Sequence, residues 1–265
     1  MMDNIIIGKY VPGTSIVHRL DPRTKLLTIF LFVFIVFFAN NTETYALLGL
    51  FTVAAAALSG VPVRFLLKGM KPVFWIVLFT FLLHIFMTRE GPVLADFGLF
   101  KIYEQGLVQG IFISLRFVYL IMITTILTLT TTPIEVTDGL EHLLGPFKKL
   151  KLPVHELALM MSISLRFIPT LIEETDKIMK AQMARGVDFT NGLVKERVKA
   201  IVPLLVPLFV SAFKRAEELA TAMEARGYRG GEGRTKYRQL TWKWKDTSVP
   251  LILAGLGVLL ILLRT

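Results

Sequence analysis

Long apolar runs separated by short polar segments dominate the first half of the chain, and one more run closes it. The five runs cover residues 26–39, 44–60, 72–87, 107–132 and 248–263. A helix needs about 20 mostly apolar residues to cross a bilayer, and polar neighbours such as Thr24 and Asn40 can extend the first run toward that length. The pattern therefore predicts five transmembrane helices, the first two of which are joined by a tight turn.

The middle of the chain, residues 132–245, has no continuous apolar run of this kind. Charged and apolar positions instead recur at helical spacing, and they predict two long amphipathic helices, in 154–186 and 192–230. The fold class is therefore all-α, that of a polytopic membrane protein. We divide it into N-terminal transmembrane helices in 1–131, a module of amphipathic helices in 132–245 and a last transmembrane helix in 246–265.

A short helix is predicted in residues 132–153, ahead of the two long ones. Thr132 and Glu135 have the spacing of a capping box, in which each side chain satisfies the other residue's backbone N–H. Gly145 followed by Pro146 ends the helix, because neither residue favours its continuation.

The first long helix has a predicted apolar face and a charged face. In its second half, the charged face is formed by Glu173, Lys177 and Lys180. The opposite face is formed by Leu171, Thr175, Ile178, Met179 and Gln182. Pro169 is expected to bend this helix, since proline removes a backbone hydrogen bond.

The second long helix has Pro203 and Pro207 early and three alanines at four-residue spacing later, Ala212, Ala216 and Ala220. We expect these five positions and Pro169 to lie where the long helices cross, because a stripe of small residues lets another helix come close. The alanines are equally well explained as good helix formers.

Charge patterning gives the orientation. The composition is 54% hydrophobic, yet the formal net charge is +10. With the N-terminus in the cytoplasm, residues 1–25, 61–71 and 133–245 lie inside and hold 26 of the 30 lysines and arginines. Since cytoplasmic loops of membrane proteins are enriched in these residues, we expect a cytoplasmic N-terminus and a cytoplasmic module of long helices. The basic segment 61–71 is predicted to be a connecting loop, and the segment 89–106 is mixed in charge and rich in turn-forming residues.

Several function classes lack their sequence signals. No cysteine is present, so disulfides and thiolate chemistry are excluded, and four scattered histidines have no metal-ligand spacing. Neither a phosphate-binding G-x-x-x-x-G-K-[ST] loop nor an H-E-x-x-H or G-x-S-x-G motif occurs. A nucleic-acid binder would account for the charge but not for the apolar runs. The predicted spans contain no carboxylate of the kind that proton-coupled carriers use. We therefore expect no cofactor in this chain, and any ATP-driven work requires a partner.

The triplet Ala-Arg-Gly ends both long amphipathic helices, at residues 184–186 and 225–227. The triplets are Ala184, Arg185 and Gly186, and Ala225, Arg226 and Gly227. Glycine suits the left-handed turn after a helix, so each arginine is predicted on the last turn, where its guanidinium can meet a carboxylate bidentately. An ordinary helix end with a favourable dipole interaction explains each arginine equally well.

These motifs and their surroundings closely resemble the transmembrane T components of energy-coupling factor (ECF) vitamin transporters, the EcfT/CbiQ-type family of ABC-related importers. The resemblance covers almost the whole chain, including HRLDPRTKLL (18–27), TPIEVTDGLEHLLGPFKKLKLP (132–153), LRFIPTLIEETDKIMKAQMARG (165–186) and PLFVSAFKRAEELATAMEARGY (207–228). The two Ala-Arg-Gly triplets are its most specific part.

The resemblance implies a non-catalytic subunit that works with two cytosolic ATPases and a small substrate-binding membrane protein, the S component. The ATPases would bind the ATP and Mg, and each would receive one triplet, 184–186 or 225–227, in a surface groove. ATPase closure would move the long helices and thereby the S component, which brings a vitamin or metal ion into the cell. The sequence does not identify the substrate, since this chain is not expected to bind it.

Two rival functions remain at this point. A membrane-embedded enzyme would need clustered acidic and histidine side chains, and only the segment TDGLEH (137–142) offers them; helix capping and solvation explain that segment better. A membrane scaffold without a transport role is the other rival. Isolation of the chain with its natural partners distinguishes both from a transporter subunit.

Overall fold

The computed structural model describes residues 10–96, 101–150, 153–189, 194–228, 230 and 240–264. Within these residues the chain forms eight α-helices and one short β-hairpin, so the all-α prediction is confirmed. The elements fall into two compact units. One contains the described residues up to 142 together with 240–264, and the other contains those from 143 to 230. The sequence-based division, with boundaries at 132 and 246, stays a prediction.

The larger unit contains most of the predicted transmembrane helices. They are α1 (Pro22–Ile35), which continues as a 3-10 turn over Val36–Phe38, α2 (Thr42–Ser59), α3 (Val63–Met87), α4 (Glu104–Thr130) and α8 (Trp244–Leu262). The unit also contains most of the short helix α5 (Pro133–Leu143), which is not one of the predicted spans. Two strands, β1 (Val93–Asp96) and β2 (Lys101–Tyr103), pair antiparallel between α3 and α4. The second unit contains a 3-10 turn (Gly145–Leu150), α6 (Val154–Ala184) and α7 (Val194–Ala225).

The helix starts follow from local capping chemistry. Asp21 caps α1 by accepting the backbone N–H of Arg23, and Pro22 follows at the first helical position, where its missing N–H costs nothing. Thr132 and Glu135 exchange hydrogen bonds at the start of α5, of 3.1 and 3.3 Å, so the predicted capping box is confirmed. The predicted break at Gly145 is confirmed too, since α5 ends at Leu143.

The core of the larger unit lies where α1, α2, α4 and α8 meet. Phe32, Leu48, Leu253 and Leu260 are fully buried there. Burying an aromatic or aliphatic side chain of this size is worth about 1.5–3 kcal/mol. The helices therefore have a packed interior, while their outer faces carry large exposed apolar side chains that a bilayer covers.

Five helices are long and apolar enough to cross a membrane: α2, α3, α4, α6 and α8. The predicted number is therefore met, but the set differs. The α-helical part of the first run, α1, has only 14 residues, whereas α6 qualifies because the first half of its 31 residues is rich in apolar residues. The described chain is a multi-pass membrane protein.

One predicted loop was wrong. The basic segment 61–71 is mostly helical, because α3 begins at Val63 and runs for 25 residues. Charged side chains do not stop a helix when no glycine or proline signal follows them, and Pro72 lies within its third turn. The turn-rich segment 89–106 contains the β-hairpin and the start of α4.

Candidate functional site

The first Ala-Arg-Gly triplet forms the C-terminal end of α6. The backbone N–H of Val187 donates to the carbonyl of Gln182 at 3.0 Å, and that of Gly186 donates to Met183 at 2.9 Å. Gly186 has a φ of +90°. This pair of bonds and the left-handed glycine define a Schellman motif, which satisfies carbonyls that the helix end would otherwise leave open.

The second triplet forms the end of α7 in the same way. The N–H of Tyr228 donates to Met223 at 3.0 Å, the N–H of Gly227 donates to Glu224 at 2.9 Å, and Gly227 has a φ of +73°. The predicted left-handed glycine after each long helix is therefore confirmed. Two helices in one unit end in the same hydrogen-bond pattern, with an arginine at the same position of each.

Both arginines lie on open surface of the described unit. Arg185 and Arg226 are exposed, as are the alanines before them. Nothing lies within 4 Å of the position that a Cβ would take at Gly186 or Gly227. Neither guanidinium forms an ion pair or a hydrogen bond with the part of the chain that the structure describes. Each end thus presents a free forked cation next to bare backbone, which suits recognition of a carboxylate.

Polar contacts join α6 to α7 at a point that we call the α6–α7 node, formed by Glu174, Ser211 and Arg215. The Glu174 carboxylate accepts the Ser211 hydroxyl at 2.5 Å, and its other oxygen lies 3.1 Å from the Arg215 guanidinium. The ion pair is partly exposed, so it contributes on the order of 0.5 kcal/mol. Its value is mainly geometric, because it fixes which turns of the two helices meet.

A second contact joins the helices closer to the end of α6. The Gln182 side-chain amide donates to the carbonyl of Pro203 at 3.4 Å. That carbonyl has no partner within its own helix, because Pro207, four residues later, lacks an N–H. The two contacts pair later residues of α6 with earlier residues of α7, so the helices run antiparallel through this region.

The predicted faces of α6 are confirmed. The charged set, Glu173, Lys177 and Lys180, is exposed, whereas the opposite set from Leu171 to Gln182 is half-buried. On α7, Ala212 is half-buried but Ala216 and Ala220 are exposed. The polar contacts to α6 come from positions beside these alanines. The predicted role of the three alanines at the crossing of the long helices stays a prediction, as does that of the exposed Pro169 and Pro207.

Large apolar side chains form a row along α7 that the described protein leaves uncovered. We call it the α7 stripe: Val202, Val206, Phe209 and Phe213, which are 54 to 73% exposed. Their spacing of three or four residues places them on one side of the helix. The helix is not among the five that are apolar enough to span a membrane. An exposed apolar row of this size marks a surface that another molecule covers.

In the larger unit, a buried polar cluster joins the start of α1 to the start of α8. The Asp246 carboxylate is buried and accepts the backbone N–H groups of Asp21 and Lys243, both at 2.8 Å. The carbonyl of Asp246 is freed by Pro250, which has no N–H, and it accepts the Thr24 hydroxyl at 3.2 Å. This cluster therefore fastens two chain segments whose contacting residues are 222 and 225 positions apart.

Lys25, which immediately precedes the apolar run 26–39, extends the cluster to the end of α4. Its ammonium donates to the Thr130 carbonyl at 3.0 Å and to the Thr131 hydroxyl at 3.1 Å. Burial lowers the pKa of Lys25 to about 8, against the opposing pull of nearby carboxylates such as Glu135. A cation at a helix C-terminus also interacts favourably with the helix dipole.

Asp21 is the acidic member of this cluster that caps α1. Burial alone raises the pKa of its carboxyl, but hydrogen bonds and charge from Arg23 outweigh burial and hold the pKa below its usual value. Sequence reasoning identified the segment 18–27 only by resemblance and missed Asp246. The Asp-Pro pair at 21–22 and the four-residue spacing from Asp246 to Pro250 were the available signals.

The rival enzyme site gains no support from the geometry. Thr137 donates to the Pro133 carbonyl at 3.0 Å, as a helix side chain does. Within the described ranges, no group of three or more His, Asp or Glu side chains is placed to hold a metal ion. The segment 137–142 thus forms part of α5, in which Thr137 and Gly139 are buried, and its acidic and histidine side chains are engaged in other interactions.

Comparison with known proteins places the chain in a family. Residues 13–237 match the CbiQ family, described as cobalt transport protein. The energy-coupling factor transporter transmembrane protein EcfT of Bacillus subtilis is 79% identical over 264 residues, covering 100% of both chains. The EcfT proteins of Exiguobacterium sibiricum and Listeria innocua are 58% and 57% identical, over 98% and 100% of this chain and 99% and 100% of their own. The chain therefore belongs to the CbiQ family, as a transmembrane T component of energy-coupling factor transporters.

Proposed function

We propose that this chain is the coupling subunit of an ECF-type importer. It binds two cytosolic ATPase subunits through the ends of α6 and α7 and holds a small substrate-binding S component in the membrane. ATP-driven motion of the ATPases passes through the long helices to the S component, which takes up a vitamin or a related micronutrient. The observation that carries this proposal is the pair of identical helix ends, each with an exposed arginine that has no partner in the described part of the chain.

The spacing of the two ends supports two separate docking sites. Gln182, one turn before Arg185, contacts Pro203 of α7. Arg226 lies 23 residues beyond Pro203 (226 minus 203), which at 1.5 Å per residue is roughly 35 Å along the helix. One small groove cannot receive both arginines at that distance. Two grooves can, one on each of two ATPases, with an acidic residue in each to meet the guanidinium.

The α7 stripe supports the site for the S component. Its four large apolar side chains are exposed on a helix that carries charges at both ends and is not a membrane span by composition. In this proposal a small hydrophobic protein at the membrane surface covers the row. This chain itself performs no catalysis in the proposal. ATP and Mg are bound by the ATPases, and the substrate is bound by the S component.

The proposed orientation places the N-terminus and the long helices in the cytoplasm. The support is the distribution of lysine and arginine, 26 of 30 of which lie in the segments assigned to that side. ATPases that use cellular ATP must dock there, so charge and function agree on one orientation.

The decisive experiment reverses both arginine charges in the cell's own complex. Arg185→Glu combined with Arg226→Glu is expected to lower co-purification of the ATPases at least about 30-fold, because leaving one side of a buried charge pair unmatched costs about 2–5 kcal/mol. Transport of the substrate should fall in parallel. The measurement is quantitative mass spectrometry of the detergent-solubilised complex, isolated through a tag on this chain.

The matched control is Lys177→Glu combined with Lys214→Glu. These lysines are exposed on the same two helices, so the control changes the net charge equally while both helix ends stay intact. It should retain the ATPases. Normal ATPase recovery with the double arginine variant would refute the docking sites. Recovery of the unmodified chain without any ATPase would favour a scaffold.

A further inference from the structure

A groove of about 630 Å³ lies on the surface between the first half of α3 and the middle of α4. Its walls are largely apolar and include Leu67, Phe74, Val77, Val118 and Ile121. This groove belongs to the larger unit, in which the ends of α6 and α7 have no part. The function proposed above leaves it unused.

Three cations line one rim of the groove, Arg64, Lys68 and Lys71. Their spacing of four and three residues places them on one side of α3. All three are exposed, and none forms an ion pair or a hydrogen bond within the described ranges of the chain. Three like charges within about two helix turns repel one another, so an anion bound between them relieves that repulsion.

The residue types around the groove are those found where a bilayer changes from headgroups to hydrocarbon. Lys71 is the last lysine or arginine of α3, and the apolar run 72–87 begins immediately after it. Trp75 follows one turn later, lines the groove and is 71% exposed. Tryptophan concentrates at membrane–water interfaces, and flanking lysines and arginines lie at headgroup depth. This pattern assigns the three cations to headgroup depth and the apolar walls beyond them to hydrocarbon depth.

The two helices are held close together beside the groove. A Cβ built at Gly69 of α3 would lie 2.6 Å from the side-chain methyl of Thr125 in α4, so only glycine permits this approach. The walls are therefore set by helix packing and need no ligand to form. A preformed groove loses less entropy on binding than one that must be ordered first.

We propose that this groove binds one anionic phospholipid, with its phosphate among Arg64, Lys68 and Lys71 and an acyl chain along the apolar wall. Charge complementarity and depth favour a lipid over a protein partner. A partner protein would have to bring carboxylates to the edge of the hydrocarbon, where they are costly. Lipid phosphates are at that depth already, and basic pockets between transmembrane helices are known to recognise anionic headgroups.

The test is native mass spectrometry of the full chain in detergent, titrated with phosphatidylglycerol or phosphatidylcholine. The chain should retain one phosphatidylglycerol at concentrations where phosphatidylcholine is not retained. Each cation near an anionic headgroup is worth about a fivefold change in binding. The variant Arg64→Gln, Lys68→Gln, Lys71→Gln should therefore lose the specific lipid. The control Lys177→Gln, Lys199→Gln, Lys214→Gln, with the same charge change, should keep it.

A second variant tests the apolar wall and leaves every charge in place. Ile121→Trp fills the groove and should also weaken retention of phosphatidylglycerol severalfold. Soluble glycerol phosphate should not displace the lipid, since it lacks the acyl chain. Equal retention of both lipids, equal losses in the two triple variants, or full displacement by glycerol phosphate would overturn the proposal. The proposal would also be overturned if the variant Arg64→Gln, Lys68→Gln, Lys71→Gln bound lipid normally but no longer co-purified with a small membrane protein.

Discussion

Asp246 fastens the start of α8 to the start of α1, and its removal should weaken the larger unit strongly. The residue is 3% exposed, and its carboxylate accepts two backbone N–H groups, those of Asp21 and Lys243, at 2.8 Å each. Asp246→Asn keeps the shape of the side chain but replaces one acceptor oxygen by an NH₂ group that faces a backbone N–H. One hydrogen bond to a carboxylate, worth about 1.5–3 kcal/mol, is lost, and a buried donor is left unsatisfied.

We therefore expect the free energy of unfolding to fall by about 3 kcal/mol. For a chain of this size, 1 kcal/mol moves the unfolding temperature by about 2–4 °C, so the variant should unfold about 6–12 °C lower than the unmodified chain. The measurement is differential scanning fluorimetry in one detergent at one pH. The control Asp176→Asn removes a largely exposed ion pair to Lys180 on α6. Such a pair contributes about 0.3–0.5 kcal/mol, so the control should shift by no more than about 2 °C.

Equal shifts in the two variants would refute the reasoning, because they would show that the effect comes from lost charge and not from the buried hydrogen bonds. A shift below about 2 °C for Asp246→Asn would refute it as well. Replacing Thr24 by Val tests the neighbouring bond separately. It removes the hydroxyl that donates to the Asp246 carbonyl at 3.2 Å, and it should cost about 1 kcal/mol.

Three further predictions concern the helix ends, the buried lysine and the orientation. Gly186→Ala and Gly227→Ala should each destabilise their helix end by about 1–2 kcal/mol, because both glycines have positive φ. The control Gly255→Ala in α8, where the Cβ position also has free space, should not lower stability. Hydrogen exchange of the amides at the two helix ends measures the effect of each variant. Equal protection of these amides in all three variants would contradict the conformational explanation. The folded-state pKa of Lys25, about 8, lies below the ordinary lysine value of 10.5, so the unfolded chain binds more protons between these values and stability should rise with pH across that interval, by up to about 3 kcal/mol. The difference between unfolding temperatures at about pH 7.5 and about pH 9.5 should therefore shrink in Lys25→Met relative to the unmodified chain, and an unchanged pH difference would contradict the buried charge. Finally, because the chain has no cysteine, a membrane-impermeant maleimide should label Arg89→Cys in intact cells but Lys177→Cys only after lysis, and the reverse pattern would invert the proposed orientation.

The parts of the fold that depend on local sequence were predictable. Glycine after an amphipathic helix, as at Gly186, defines an end because few other residues adopt positive φ. The capping box of Thr132 and Glu135 needs only residues three positions apart, and helical periodicity separated the exposed Glu173 from the half-buried Leu171. These features need no information from distant parts of the chain.

Features that depend on distant partners were not predictable from one sequence. Asp246 contacts Asp21, which lies 225 positions earlier in the chain. The periodicity of apolar and polar residues does not predict such a pair. The extension of α3 through Arg64 and Lys71 was missed for a different reason. Charge was interpreted as a loop signal, whereas helix geometry tolerates charge wherever the side chains reach water or headgroups.

The short hairpin of β1 and β2 illustrates a third limit. Its strands have four and three residues, too few for an alternating pattern to stand out from the surrounding turn residues. A two-stranded hairpin of this length is marginal by itself and depends on its neighbours for stability. Such an element is defined by the helices on either side of it, α3 and α4, more than by its own residues.

In the proposed complex, the length of α7, 32 residues, sets the distance that must separate the two grooves that receive the arginine-bearing helix ends. When two contacts sit on one stiff body, the second forms at high effective concentration only if its receptor lies at the matching distance. An ATPase pair with a different separation can engage one end at a time and forfeits that gain. Length alone can thus sort matched ATPase pairs from mismatched ones, even where each groove would accept its arginine equally well.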